Sequence, residues 1–174
     1  MVVIFNMTLR EQTCCFTGHR NIKDEEIEDF LPFLIRIIKR LIHEGTTTFV
    51  TGGAIGFDTV CAEVILQLRE RFPQIRLIVV APYKDQSANW DTFHRHKYQI
   101  IKEMCDEYIC LSDNYYKGCL LARNRYIVDI SGQCIAFCKE KSSGSAYTVN
   151  YAEKKGVPVT NLGTQYIQLN LFSQ

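Results

Sequence analysis

The sequence predicts an α/β fold, a Rossmann-like arrangement of three layers (α/β/α) around a mostly parallel sheet. Short apolar segments with strand character alternate with helical segments, from Thr13–Thr17 near the start to Pro158–Asn161 near the end. Most of these strand segments are almost wholly apolar, as in Ile75–Ala81, where Arg76 is the one charged residue, and this is typical of strands that helices cover on both faces. The alternation favours a parallel sheet, because parallel strands need a crossover connection and a helix supplies it.

The first helix is predicted from a helical repeat of apolar residues between Ile27 and Leu41. Asp24 is the expected N-cap, and further acidic residues follow in the first turn, where the helix dipole favours them. Gly45 is expected to end this helix. Pro32 falls early in it and is expected to bend the helix or to delay its start.

The remaining elements follow from apolar runs, helical periodicity and turn residues. The other predicted strands are Thr47–Val50, Ile75–Ala81, Glu107–Ser112, Gln133–Cys138 and Pro158–Asn161, with a further edge strand in the alternating tail Gln165–Leu171. The other predicted helices are Thr59–Arg71, Asp91–Met104, Gly118–Ile130 and Ala146–Lys155.

Length and composition indicate one globular domain, which we expect to span residues 1–174. Hydrophobic residues make up 47% of the 174-residue chain and charged residues 22%, which is ordinary for a globular protein. The formal net charge of +1 creates no global field that would attract nucleic acid or an anionic membrane. The apolar run Phe30–Ile42 contains Arg36, Lys39 and Arg40, so no membrane span is predicted.

We expect a cytoplasmic protein. The first residues, Met1–Phe5, form too short a segment for a signal peptide and lack its leading positive charge. The 8 cysteines include no C-x-x-C pair. Those in apolar runs, expected to be buried, are Cys14, Cys15, Cys110, Cys134 and Cys138. Buried free thiols in a reducing compartment are favoured over a disulfide framework or a zinc site, and no metal site is predicted.

The segment Thr51–Asp58 contains the strongest functional signal. Its glycine turn follows a predicted strand and opens a predicted helix, an arrangement that presents backbone N–H groups and a positive helix end to a phosphate. The glycine spacing is neither G-x-G-x-x-G nor that of a P-loop, whose lysine is missing. A purely structural strand-to-helix turn is the alternative interpretation.

Ligands of parallel α/β folds bind outside the carboxyl ends of the strands. In this sequence those ends are followed by small, hydrogen-bonding or basic residues, a combination that suits a nucleotide pocket. The expected ligand-binding residues are Thr17, Gly18, His19, Arg20, Gly52, Gly53, Ala54, Gly56, Asp58, Pro82, Trp90, Arg123, Asn124, Arg125, Ser143, Gly144 and Ser145.

Several of these residues have a structural alternative that the sequence leaves open. Arg20 either binds an anion or is a solvated turn residue, and His19 either contacts phosphate or ribose or has a structural role. Asp58 either contacts ribose hydroxyls or only stabilises the start of its helix. Trp90 either stacks on a base or fills the edge of the core.

Arg123 and Arg125 lie in one predicted helix, and each is a candidate for the arginine that faces the pocket. Residues two apart on a helix point roughly 200° away from each other. At most one of these arginines is therefore expected to face the pocket, and we prefer Arg123. Asp129 lies four residues after Arg125 and is expected to pair with it.

Taken together, these motifs resemble the SLOG superfamily of Rossmann-like proteins, specifically its YpsA-like (DUF1273) branch. The matching segments are, in order, Cys15–Arg20, Thr51–Asp58 with Ala62–Glu63, Ala81–Tyr83, Arg123–Asp129, and Ser143–Ser145 ahead of Tyr151–Ala152. The resemblance implies a cytosolic domain that binds a small nucleotide derivative such as NAD, ADP-ribose or a nucleoside monophosphate. It also implies a homo-oligomer, with no required cofactor.

The superfamily includes the lonely-guy phosphoribohydrolases and, more distantly, DprA-type domains. The hydrolases are expected to use a P-G-G-x-G-T-x-x-E segment with a catalytic glutamate. The corresponding loop here, Ser142–Asn150, has no doubled glycine and no carboxylate at the required place. Binding without turnover is therefore the lead hypothesis, with an N-glycoside hydrolase using Asp58 and a scaffold protein as alternatives. Some distant relatives bind single-stranded DNA, but the balanced charge argues against a nucleic-acid partner here.

Overall fold

The computed structural model describes residues 7–164 and contains six strands in one sheet. The strands are β1 (Thr13–Gly18), β2 (Thr48–Thr51), β3 (Arg76–Ala81), β4 (Glu107–Cys110), β5 (Gln133–Phe137) and β6 (Val159–Asn161). The helices are α1 (Asp24–His43), α2 (Phe57–Arg69), α3 (Thr92–Met104), α4 (Cys119–Asp129) and α5 (Gly144–Lys154). Each predicted element in this range is present in its predicted order. The predicted edge strand Gln165–Leu171 lies outside the described residues.

Neighbouring strands of the sheet are parallel, in the order β4-β3-β2-β1-β5-β6. The chain builds outward from β1 to β4, then crosses back and continues with β5 on the other side of β1. The strand order therefore reverses between β1 and β5. A crevice is expected at the carboxyl ends of two such strands, because the loops that leave them run to opposite faces of the sheet.

Helices cover both faces of the sheet, which confirms the three-layer α/β/α fold. On one face, α1, α2 and α3 share a core with strand residues such as Phe16, Phe49 and Leu77. On the other face, α4 and α5 pack against Cys15 and Val50. Successive strand residues point to opposite faces, so a strand covered on both sides must be apolar throughout.

Pro32 lies inside α1 and does not delay its start, contrary to one of the two effects expected from the sequence. The helix begins at Asp24, and its N-cap is Lys23 rather than Asp24. The carboxylate of Glu26 accepts the backbone N–H of Lys23 at 3.1 Å and so stabilises the first turn. Proline removes the hydrogen bond to the carbonyl of Glu28, but both residues are exposed, so water can solvate that carbonyl.

The eight cysteines are free thiols, as predicted. Cys110 is exposed, however, and the expectation that it would be buried was wrong. It ends β4, a short strand at the edge of the sheet, whose residues are covered less completely than those of the central strands. Within residues 7–164, no group of three or more potential metal ligands is found. No helix in that range combines the length and apolar character that a membrane crossing needs.

Candidate functional site

A cavity of about 560 Å³ opens at the carboxyl ends of β1 and β5, where the strand order reverses. Many of the predicted ligand-binding residues line it. These are Thr17, Gly18, His19, Arg20, Ala54, Asp58, Arg123, Asn124, Ser143, Gly144 and Ser145. The other predicted residues lie outside its lining. These are Gly52, Gly53, Gly56, Pro82, Trp90 and Arg125.

Two N–H groups of the glycine turn and the first N–H group of α2 are bound within the protein. The backbone N–H of Gly53 donates to Oγ1 of Thr51 at 3.2 Å, and that of Ala54 donates to Oδ2 of Asp58 at 3.2 Å. The N–H of Phe57, the first residue of α2, donates to the carbonyl of His19 at 3.1 Å. The carboxylate of Asp58 thus occupies a place that a phosphate takes at other helix N-termini.

Two glycines of this turn are required by close packing. A Cβ at Gly56 would lie 2.4 Å from the carbonyl oxygens of His19 and Arg20, and Gly56 has a φ of +88°, which disfavours other residues. A Cβ at Gly52 would lie 2.1 Å from Nη1 of Arg123. Both glycines therefore allow other parts of the chain to approach the turn, which supports the structural interpretation of their role.

Arg123 extends from α4 beneath the glycine turn and is 4% exposed. Its Nη1 donates to the carbonyls of Gly52 and, at 3.4 Å, of Val80, and its Nε donates to Oδ1 of Asn124 at 2.8 Å. Burial lowers the pKa of Arg123, and the nearby Asp58 opposes that effect. The guanidinium group therefore holds the ends of β2 and β3 together while it also lines the cavity.

Asp58 is a buried carboxylic acid in the first turn of α2, 7% exposed. Burial raises its pKa, and the opposing contributions come from the charge of Arg123 and the N–H group of Ala54. Its folded-state pKa therefore lies above the unfolded value. Protonated Asp58 is favoured by folding, and its ionisation lowers stability.

We predict that Asp58→Asn reduces the pH dependence of stability in the acidic range. In the native protein the raised pKa of Asp58 contributes stability that is fully present below the unfolded pKa and is lost as the pH rises through the folded pKa. Asparagine does not titrate, so this fall should disappear. Urea unfolding of both proteins from about pH 4 upward measures the difference. An equal slope in the two proteins would show that Asp58 titrates normally.

His19 connects the loops that follow β1 and β5. Its backbone N–H donates to the carbonyl of Phe137 at 3.1 Å, and its ring Nε2 accepts the backbone N–H of Lys139 at 2.8 Å. His19 lines the cavity, but its Nε2 already has a hydrogen-bond partner within the protein. This contact supports the structural alternative for His19.

The opposite wall of the cavity is formed by the N-terminal ends of α4 and α5. Ser143 is the N-cap of α5, and its side chain accepts the N–H of Ala146 at 3.0 Å. Gly144 is exposed, and a Cβ there would meet nothing within 4 Å. Asn124 of α4 donates to Oγ1 of Thr148 in α5 at 2.9 Å, which fixes the two helices relative to each other. This wall thus presents an open helix N-terminus to the cavity.

Three predicted side chains have structural surroundings away from the cavity. Pro82 is buried at the end of β3. The ring of Trp90 packs edge-on against Tyr98 at 5.3 Å and contributes to the core, as its structural alternative requires. Arg125 donates to the hydroxyl of Tyr147 at 2.9 Å on the outer side of α4.

Asp129 does not pair with Arg125, contrary to the prediction. It accepts a hydrogen bond from the hydroxyl of Tyr151 at 2.9 Å and lies 3.7 Å from Nζ of Lys155. These partners come from α5 and the residue after it, which packs beside α4. A tertiary contact has therefore replaced the local i, i+4 pair.

Sequence reasoning missed one side of the cavity. The additional lining residues are Phe16, Tyr115, Lys117, Gly118, Leu120 and Leu121. Most belong to the segment between β4 and the first turn of α4. Two features mark that segment in the sequence, its position after a strand and the adjacent aromatic and basic residues Tyr115-Tyr116-Lys117 ahead of Gly118.

Comparison with known sequences identifies the family. Residues 14–169 match the YpsA model, described as the YspA SLOG family. The UPF0398 protein BH1768 of Halalkalibacterium halodurans is 31% identical over 121 residues, which cover 68% of this chain and 64% of that protein. The SPbeta prophage-derived protein YoqJ of Bacillus subtilis is 29% identical over 150 residues, which cover 79% of this chain and 85% of YoqJ.

Comparison with solved structures confirms the fold. DNA processing protein A of Streptococcus pneumoniae superposes with a TM-score of 0.62 at 22% identity, covering 88% of this chain and 50% of that one. DNA processing protein A of Helicobacter pylori, described for its single-stranded DNA binding mode, gives 0.61 at 21% identity, covering 86% and 64%. At these identities the likeness concerns the fold alone. With the family match over residues 14–169, the chain belongs to the YpsA (YspA SLOG) family.

Proposed function

We propose that this protein binds a nucleotide or a nucleotide derivative, with its phosphate in the 560 Å³ cavity, and does not turn it over. The observation that supports this most directly is the cavity's lining. The exposed cations Arg20 and Lys117 and the buried Arg123 line it together with the N-terminus of α5 at Ser143–Ser145. Cationic side chains and a helix N-terminus on one cavity form an anion site.

The phosphate belongs at the α5 wall rather than at the glycine turn. Asp58 already accepts the N–H of Ala54 in the turn before α2, and a phosphate placed there would face its carboxylate. The N-terminus of α5 has an exposed Gly144 with open space around it. The proposed anion site is therefore at the N-terminus of α5 and not at the glycine turn.

Binding without turnover is favoured by the position of the cavity's carboxylate. Asp58 is the one acidic residue among the lining residues, and Ala54 binds one of its oxygens. Cleavage of an N-glycosidic bond needs a carboxylate or base free to assist the attacking water. Prolonged incubation with AMP, ADP-ribose and NAD, followed by chromatography for released base or nicotinamide, tests the hydrolase alternative. Product formation that Asp58→Asn abolishes would establish it instead.

We predict that AMP, ADP-ribose or NAD stabilises the protein against heat. A ligand at about 100 times its dissociation constant adds about 2.7 kcal/mol to the free energy of unfolding. Lys117→Gln removes an exposed cation from the cavity and should weaken binding about fivefold, the effect of one exposed charge contact. Calorimetric titration at low salt measures the affinities.

The matched control for Lys117→Gln is Arg125→Gln, which removes the same formal charge from the same part of the chain but outside the cavity lining. It should leave the affinity unchanged. Equal weakening by both variants would point to general charge attraction rather than a site. No stabilisation by any of the three ligands would contradict the proposal for them and favour a scaffold role.

A second candidate function is binding of single-stranded nucleic acid at the mouth of the same cavity. Tyr115 is 64% exposed beside Lys117, and exposed aromatic rings next to cations are the usual platform for stacked bases. A fluorescent thymidine oligonucleotide tests this by anisotropy at two salt concentrations. Binding at least tenfold tighter than that of thymidine monophosphate, and weakened by salt, would favour it.

A further inference from the structure

A second cavity of about 490 Å³ adjoins the anion site at the carboxyl ends of β3 and β4. Tyr115 lines both cavities, so they lie next to each other at this residue. Tyr83 and Tyr115 meet edge to face, with ring centroids 5.5 Å apart, and both residues line the second cavity. The second cavity therefore has an aromatic wall at its junction with the first.

The two cavities differ in charge. The first is lined by three cations, Arg20, Lys117 and Arg123, and one acidic residue, Asp58, whereas the charged residues that line the second are both acidic, Asp85 and Asp113. Two carboxylates repel a phosphate but accept hydrogen bonds from N–H groups. A ligand that occupies both cavities therefore has an anionic part and a flat, donor-bearing part.

The loops that carry the second cavity are tied together. The backbone N–H of Lys84 donates to the carbonyl of Ser112 at 3.1 Å, which joins the loop after β3 to the loop after β4. Oγ of Ser112 donates to the carbonyl of Asn114 at 2.7 Å and accepts the N–H of Asn114 at 3.3 Å. Asp113 lies between these bonded residues, so its backbone is held at the cavity before a ligand arrives.

We propose that this second cavity is a nucleobase subsite that selects bases with an exocyclic amino group. The base stacks against Tyr115, and its amino group donates to Asp85 or Asp113, while the phosphate binds Arg20, Lys117 and the N-terminus of α5. This inference rests on the proposed function and deepens it, because it states which nucleotides the site prefers. Amino-bearing bases such as adenine and cytosine fit it, because carboxylates accept from such groups in known base recognition.

Two pairs of ligands that differ in the exocyclic amino group of the base test the selectivity. AMP is compared with purine riboside 5′-monophosphate, which lacks only the amino group, and CMP with UMP, which has a carbonyl in its place and also carries a proton on N3. The amino-bearing member of each pair should bind about tenfold more tightly. In Asp85→Ala/Asp113→Ala, which removes both acceptors at exposed positions, this preference should fall to less than about twofold.

The stacking role of Tyr115 is tested by Tyr115→Ala, with Tyr116→Ala as its control. Both side chains are exposed, so neither variant opens the core, but Tyr116 lines neither cavity. Tyr115→Ala should weaken the binding of AMP about tenfold. It should leave the affinity for ribose 5-phosphate, which has no base, unchanged. Tyr116→Ala should leave both unchanged.

The outcomes separate the two proposals. If ribose 5-phosphate and all four nucleotides bind with the same affinity, the anion site stands and the base subsite is wrong. If Tyr115→Ala and Tyr116→Ala behave alike, the subsite is also wrong. If neither ribose 5-phosphate nor any nucleotide binds, the proposed function itself fails.

Discussion

Gly52→Ala is expected to lower the free energy of unfolding by about 3 kcal/mol, the largest effect on stability predicted here. A Cβ at Gly52 would lie 2.1 Å from Nη1 and 2.4 Å from Cζ of Arg123, so the guanidinium group must move. It would then lose its hydrogen bonds to the carbonyls of Gly52 and Val80. Because Arg123 is 4% exposed, water cannot readily replace them.

Urea unfolding measures this effect, and Gly144→Ala is its matched control. A Cβ at Gly144 would meet nothing within 4 Å, and alanine in the first turn of a helix is at least as stable as glycine. In an Arg123→Met background, Gly52→Ala should cost less than about 1 kcal/mol, because the clashing group is gone. If Gly52→Ala still lowered the free energy of unfolding by about 3 kcal/mol in that background, Gly52 would be required for a reason other than contact with Arg123.

The fold was predictable because its signals are local. The apolar β-branched run in Leu77–Ala81, which follows Pro73, indicates a strand covered on both faces from neighbouring residues alone. Ligands of such folds bind outside the carboxyl ends of the strands, which correctly predicted that Gly18, Arg20 and Ser143 line one cavity. The error at Cys110 has the opposite origin, because whether a strand is central or at an edge depends on the order of all the strands.

The role of the glycine turn was not predictable from its own sequence. Glycines permit close approach, but the sequence does not say what approaches. Here it is Arg123, which lies 71 residues from Gly52 along the chain. The carboxylate of Asp58 likewise binds the N–H of Ala54, which was expected to be available to a ligand. Both contacts satisfy polar groups internally, as burial requires.

A variant of the glycine turn cannot test ligand binding, because side chains there meet neighbouring residues. Gly53→Glu puts a negative charge into the turn, but Gly53 has a φ of +64° and its Cβ would lie 2.8 Å from the ring of Tyr98. Val79 would be 3.0 Å away. This variant would therefore lose ligand binding through misfolding, whether or not the turn contacts the ligand. A charge test has to use an open position that lines the cavity.

Gly144→Glu is such a variant and should weaken binding of AMP by more than about tenfold, because a carboxylate at the cavity repels the phosphate. The same substitution should not lower the stability of the protein without ligand. An acidic residue in the first turn of α5 interacts favourably with the helix dipole, by about 0.3–1 kcal/mol. Thermal unfolding without ligand should therefore occur at the same or a higher temperature.

Gly144→Gln separates charge from bulk, since glutamine has nearly the same shape as glutamate. It should retain most of the affinity for AMP that Gly144→Glu loses. Adding salt should reduce the difference in affinity between the two variants. Equal weakening by both variants would mean that the ligand is blocked sterically. Unchanged affinity in both would place the phosphate away from α5. Loss of binding in a protein that remains folded, and only with the charged side chain, would locate the anion at the N-terminus of this helix.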